Sequence, residues 1–158
     1  MLTSIKTCFQ KYFDFTGRAS RSEFWWFHLF LVLGSGAFLY IDAKVFGTAQ
    51  NIDPFSALFS LLTFFPAISV RARRLHDINF SGWWQVLPFL GLLILAPGFY
   101  NYFIISVRAI GALMALSVVG GVVVFFGGFV LLVIWFCLPS TDGANRFGEP
   151  PNTVSDLK

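Results

Sequence analysis

Charge is scarce in this chain, and the side chains that usually carry chemistry are scarcer still. Acidic and basic residues fill only 12% of the 158 positions, and there are just two histidines (His28, His76) and two cysteines (Cys8, Cys137). The cysteines lie far apart, one in a polar stretch and one at the end of an apolar one, which excludes a disulfide framework. With so few imidazole and thiol ligands, a metal centre is not expected. No nucleophile or phosphate-cradling loop accompanies the histidines, so neither a catalytic constellation nor a cofactor is read. The basic residues form no extended stripe, which argues against nucleic acid as a partner.

What the chain has instead is apolar surface: 56% of it is hydrophobic and 19% aromatic. A soluble globule of this size would carry more apolar surface than its interior hides, so the composition predicts an all-α integral membrane protein. Residues 1–158 read as one membrane domain. Its first 23 residues are mixed and partly aromatic, suited to lying on a membrane surface. Ser20-Arg21-Ser22-Glu23 is a capping-box pattern, in which Ser and Glu each satisfy an orphan amide at a helix start. The apolar run that follows is bounded by small residues at 34–37 but then resumes, which reads as an uncleaved signal anchor.

Four transmembrane helices are predicted, at about residues 24–41, 54–70, 83–105 and 111–138. A helix rising ~1.5 Å per residue needs about 20 residues to cross a ~30 Å hydrocarbon layer. Asp53-Pro54 offers an N-cap followed by a proline at the first helical position, and Pro66 should kink the helix it starts. The third run meets Pro97 and Gly98 and either bends onward or stops there as a short span; a three-span version, with residues 83–96 re-entrant, sends the tail outside and divides the basic residues less cleanly. In the fourth, Ser117, Gly120, Gly121, Gly127 and Gly128 place small residues on a face, read as a close contact within the bundle in preference to a dimer interface.

This division puts Lys6, Lys11, Arg18, Arg21, Arg71, Arg73, Arg74, Arg146 and Lys158 in one compartment and only Lys44 and Arg108 in the other. Nine basic residues against two predict both termini and the middle loop in the cytoplasm. Most of Trp25, Trp26, Trp83 and Trp84 then fall at the cytoplasmic headgroup boundary. If the second helix continues through the arginines, Arg73 and Asp77 are four apart and can pair.

Three blocks stand out: GRASRSEFWW (17–26), ARRLHDINFSGWW (72–84) and GANRFGEPP (143–151). In this order they resemble the hallmarks of a bacterial inner-membrane family, domain of unknown function 805 (YhaH-like). The resemblance spans nearly the whole chain and implies a small multi-pass protein of the inner (plasma) membrane, with no established activity to transfer. Two departures are Phe80, where a basic or small polar residue is usual, and a long apolar region from Phe99 to Leu138.

With four spans, all three blocks face one compartment. Arg18, Arg21, Arg71, Arg73, Arg74, His76, Asp77, Asn145 and Arg146 then form a candidate site with a surplus of guanidinium, suited to bidentate recognition of an anionic phospholipid headgroup. Ser20, Glu23, Trp25, Trp83 and Trp84 are read as structural. Against the ligand stands a plainer reading, in which the same residues obey the topology rule and lock helix ends together. The expected function is a structural or regulatory module that binds anionic lipid, a partner membrane protein or a second copy. The alternative is a transporter or channel-like protein for a small solute or ion, motivated by His28, Pro66 and the interrupted third helix; it calls for polar groups near mid-membrane, where only Ser35, Ser60, Thr63 and Ser117 stand.

Overall fold

A computed structural model describes residues 1–47, 53–100 and 111–151. The described chain is all-helical: α1 (Leu2–Gln10), α2 (Arg21–Phe46), α3 (Pro54–Asp77), a 3₁₀ turn (Gly82–Val86), α4 (Leu87–Tyr100) and α5 (Gly111–Cys137). Among the described residues three stretches are long and apolar enough to cross a membrane, Arg21–Phe46, Pro54–Asp77 and Ala115–Cys137, and Gly82–Pro97 is a shorter apolar one. α2 begins earlier and ends later than the first span expected at 24–41, and α3 runs on through all the arginines. It passes through Pro66 without a break, as α4 passes Pro97. Residues 101–105, expected to finish the third span, lie outside the described residues.

The chain divides into two units, one made of Met1–Gly82 with the segment after Pro139, the other of Trp83–Leu138. In the first, α2 and α3 form an antiparallel hairpin. Phe59 of α3 lies over Gly34 of α2, where even a methyl group would meet its ring at 2.4 Å, and Phe30 and Phe38 flank it at centroid distances of 5.7 and 5.1 Å. Large apolar side chains along the hairpin, among them Val32, Leu33, Leu39, Leu58 and Leu61, are exposed. The buried apolar residues gather at one end: Cys8, Ala19, Phe24, Phe27, Val70, Ala72, Leu75 and Ile78. Such a distribution suits a hairpin whose mid-portion is solvated by lipid chains rather than by protein.

The far end of the hairpin is closed by Asp42. Its carboxylate accepts the backbone N–H groups of Phe55 (3.0 Å) and Ser56 (2.8 Å), the first amides of α3. The expected capping residue, Asp53, occupies the N-cap position but makes no side-chain cap bond. A neighbouring helix supplies the acceptor instead, which local sequence rules do not foresee. Glu23 and Asp42 stand 19 residues apart in α2, so the two polar ends are ~28 Å apart at ~1.5 Å per residue, close to a hydrocarbon thickness.

In the second unit, α4 and α5 touch through glycine. A methyl group on Gly91 would meet Phe125 N at 2.4 Å and Gly121 O at 2.7 Å, and one on Gly128 would meet Pro88 N at 3.2 Å. Gly121 and Gly128 therefore serve the internal helix contact, whereas Gly127 has nothing within 4 Å. Trp84 packs edge-on against Trp135 at 5.6 Å.

Candidate functional site

The polar end of the first unit is built around the C-terminus of α3. A helix leaves its last four carbonyls without internal partners, and here the chain first turns back on itself. Asn79 adopts a left-handed conformation (φ 63°), Asn79 N donates to His76 O (2.9 Å) and Phe80 N to Leu75 O (2.9 Å). This is a Schellman closure with asparagine in place of the usual glycine, and it accounts for the Asp-Ile-Asn-Phe run of the middle block.

The tail supplies what the closure leaves open. Thr141 donates to Asp77 O through both its backbone N–H (3.1 Å) and its hydroxyl (2.9 Å). Asn145 Nδ2 donates to His76 O (2.9 Å), and Arg146 Nη2 to Asn79 O (2.8 Å). Asn145 and Gly148 exchange backbone bonds across a tight turn, and Asn145 Oδ1 holds Phe147 N at 2.9 Å. The turn delivers Phe147 flat onto His76, with ring centroids 3.8 Å apart and planes 4° from parallel. Phe147 thus stacks within the chain.

Arg18 ties the N-terminal block to this cap. It is 5% exposed, and its Nε donates to Asp77 Oδ1 at 2.8 Å. Its Nη1 and Nη2 reach Gly143 O and Thr141 O, each at 2.7 Å. Gly143 has a φ of 66°, a conformation that exposes its carbonyl to Arg18 and that a side chain would strain. Asp77, fully buried, also takes Arg74 Nη1 and Ser140 Oγ on its other oxygen. The expected Arg73–Asp77 pair does not form: Asp77 pairs with Arg74, three residues before it, and Arg73 Nη1 turns to Glu23 Oε1 at 2.7 Å. Both spacings face on a helix, and the neighbouring segments decide between them.

Glu23 is correspondingly drawn away from its capping-box role. Ser20 Oγ does accept Glu23 N (3.1 Å), but the Glu23 carboxylate faces Arg73 and takes a hydrogen bond from the Cys8 thiol (3.7 Å). Burial, and then the Glu23 charge, push that thiol up to about 12. The loop beyond α1 is fastened by Ser69, which donates to Lys11 O (3.0 Å) and Asp14 O (2.5 Å), and by Tyr12, whose hydroxyl donates to Leu62 O (2.8 Å). Two bonds from Thr16, hydroxyl first and backbone second, hold the Asp14 carboxyl below its usual range.

His28 and His76 have separate surroundings. His76 Nδ1 donates to Gly17 O at 3.2 Å. His28 Nδ1 donates to Phe24 O (2.9 Å), which leaves its Nε2 to accept Arg71 Nε at 3.2 Å. Arg71 therefore ends on a neutral ring. Arg21 is exposed at the first turn of α2, seven residues before His28 and so on the same face. Trp25, Trp83 and Trp84 are exposed. Thr63 Oγ1 donates to Phe59 O of its own helix at 2.8 Å, and Ser35 and Ser60 are exposed.

Of the residues expected to meet a ligand, Arg18, Arg74, Asp77, Asn145 and Arg146 are thus engaged with the chain itself. Sequence reasoning missed Ser140 and Thr141, which stand in the Pro-Ser-Thr-Asp-Gly turn cluster, and Asp42, whose one signal was a lone carboxylate at the edge of an apolar run.

Long helices with apolar flanks and one polar, tightly bonded end define a multi-pass membrane protein. The family model "Protein of unknown function (DUF805)" matches residues 12–149, and the chain belongs to that family. It is 29% identical to Inner membrane protein YhaI of Escherichia coli (strain K12) over 147 residues, 93% of each chain. It is 28% identical to Inner membrane protein YhaH of the same organism over 144 residues, 90% of each. Uncharacterized protein YiiR matches at 28% over 155 residues. No solved structure matches. The protein is accordingly a multi-pass inner-membrane protein.

Proposed function

We propose that this is a non-catalytic inner-membrane module with four crossings and both termini in the cytoplasm, whose polar end binds the headgroup of an anionic phospholipid. The crossing number draws support from connectivity: Gly82 lies against Ala72 of α3, and Ser140 and Thr141 bond to Asp77. The chain leaves and re-enters this end of the hairpin, which supports an even number of crossings in between. The 3₁₀ turn and α4 together reach ~30 Å at ~2.0 and ~1.5 Å per residue, enough for one of them. The nine-to-two distribution of basic residues supports the orientation.

The observation that carries the ligand is Arg71. It is half-buried, and its hydrogen bond goes to neutral His28 rather than to a carboxylate. Around it the count of charges is lopsided: Arg18, Arg73 and Arg74 share Asp77 and Glu23. Arg71 and exposed Arg21 are left to face the headgroups, where each contributes about 1 kcal/mol near a charged leaflet. Native mass spectrometry of gently solubilised protein tests this. Arg21→Ala and Arg71→Ala should each lower retention of phosphatidylglycerol by about fivefold, and retention equal to wild type in both variants would discard the reading.

A further inference from the structure

Arg73 differs from the other arginines of this end. Its side chain is fully buried, and its Nη1 is paired with Glu23, yet its Nε and Nη2 have no hydrogen-bond partner among the described residues. These two nitrogens form the side-on fork of the guanidinium, two parallel N–H groups spaced for two oxygens of one phosphate or carboxylate. A buried charged donor left unsatisfied is among the costliest features a fold can hold, and native chains rarely keep one without a use for it.

We infer that the Nε/Nη2 fork of Arg73 is a binding site for a phosphate group, carried by a lipid or free in solution. The surrounding charge favours an anion. Arg18 and Arg74 saturate Asp77, and Glu23 is already held by Arg73 Nη1 and the Cys8 thiol. Asp14, the remaining carboxylate with a charge interaction at Arg73, has Oδ1 tied to Thr16 at 2.5 and 2.9 Å. The Cys8 thiol, which keeps its proton, adds no charge there.

Access requires movement of the N-terminal segment. Cys8 at one end of that cover and Ala19 at the other lie against Arg73: Cys8 beside its guanidinium as well as through Glu23, and Ala19 by its N–H to Arg73 O at 3.0 Å. The hydrogen-bonded fastenings between them are Tyr12 to Leu62, Ser69 to Lys11 and Asp14, His76 to Gly17, and Arg18 to Asp77, Thr141 and Gly143, none of them to the fork. Of the residues of α1 only Cys8 is buried, so its opening is the least costly route inward.

This site extends the headgroup reading to a second guanidinium, and the two fail separately. Wild type, Arg73→Lys and the double variant Arg21→Ala/Arg71→Ala are purified in neutral detergent. One arm follows retention of phosphatidylglycerol by native mass spectrometry. The other follows the thermal midpoint from tryptophan fluorescence as inorganic phosphate replaces chloride at matched ionic strength. Arg73→Lys keeps the charge and removes the fork, and it should weaken phosphate binding at least about tenfold. The double variant should keep the Arg73-dependent part. A response to lipid alone assigns the phosphate to a headgroup, and a response to both assigns the site to phosphate from either source. Binding by Arg73→Lys equal to wild type in both arms overturns the inference, as does a wild type that responds in neither. Loss in the double variant with Arg73→Lys unaffected would leave only the Arg71 reading. Should Arg73→Lys fail to fold, hydrogen exchange on wild type decides: the amides of Leu2–Gln10 gain protection with phosphate or phosphatidylglycerol, and no change in either overturns the site.

Discussion

The two units of this chain achieve close packing by opposite means. In the first, three separated blocks meet through buried guanidinium groups, carboxylates and helix-end carbonyls. In the second, α4 and α5 meet through Gly91, Gly121 and Gly128, with backbone atoms in direct approach. An ionic cap specifies which groups must meet, because each donor has few acceptors within reach. A glycine contact specifies only how near two helices come. The recognisable blocks accordingly cluster in and around the first unit, and the second is written in residues that many membrane helices share.

Asp77 is where this contrast breaks most sharply. Its carboxylate serves Arg18, Arg74 and Ser140 with no exposure to solvent. Asp77→Ala leaves two guanidinium groups buried without their counter-ion, and removal of one partner from such a cluster costs about 3–5 kcal/mol. The expected outcome is loss of monodisperse protein after solubilisation, with protease cutting within residues 139–151. A variant that eluted like wild type with an intact tail would show that the cap does not hold this end together.

The glycine contact gives a smaller effect and carries its own control. Gly91→Ala sets a methyl group 2.4 Å from Phe125 N, so the two backbones must move apart. Overpacking of this kind costs about 1–3 kcal/mol, seen as a lower midpoint in tryptophan fluorescence, since Trp84 and Trp135 pack within this unit. Gly127→Ala, with open space around it, should leave the midpoint unchanged. An equal loss at both positions would show that close approach at Gly91 does not govern this contact.

The same contrast explains what could be read in advance. Apolar length and the Ser20 cap are local properties, so α2, α3 and α5 were visible from residue order alone, as was the convergence of the arginine, histidine and asparagine blocks. Pairing was not visible, because a helix offers Asp77 both Arg73 and Arg74, and only Glu23 arriving from α2 resolves the choice. Asp42 capping α3 across the hairpin is the same kind of fact. So is Phe147 on His76, a stack that depends on the turn that carries Phe147 back over the end of α3. Propensity describes a segment, while these contacts belong to pairs of segments distant in sequence.

The two cysteines sharpen the comparison at its smallest scale, since one lies in each unit. Cys8 is buried beside the Glu23 carboxylate, and Cys137 is exposed at the last residue of α5. Burial and the adjacent charge hold the Cys8 thiol protonated up to about 12, against 9.0 for a free one. A raised thiol value means that the fold binds the proton more tightly than the unfolded chain does. Its contribution is therefore fully present below pH ~9 and is lost as pH rises from there towards 12. The thiolate is the reacting species, so in a Cys137→Ser variant N-ethylmaleimide should leave Cys8 untouched at pH 8 and label it only as the pH climbs past ~9. Cys137, in a Cys8→Ser variant, should react already at pH 8. Prompt labelling of Cys8 at pH 8 would mean that α1 lifts readily from Glu23 and Arg73, and the ionic end would then be the looser of the two units.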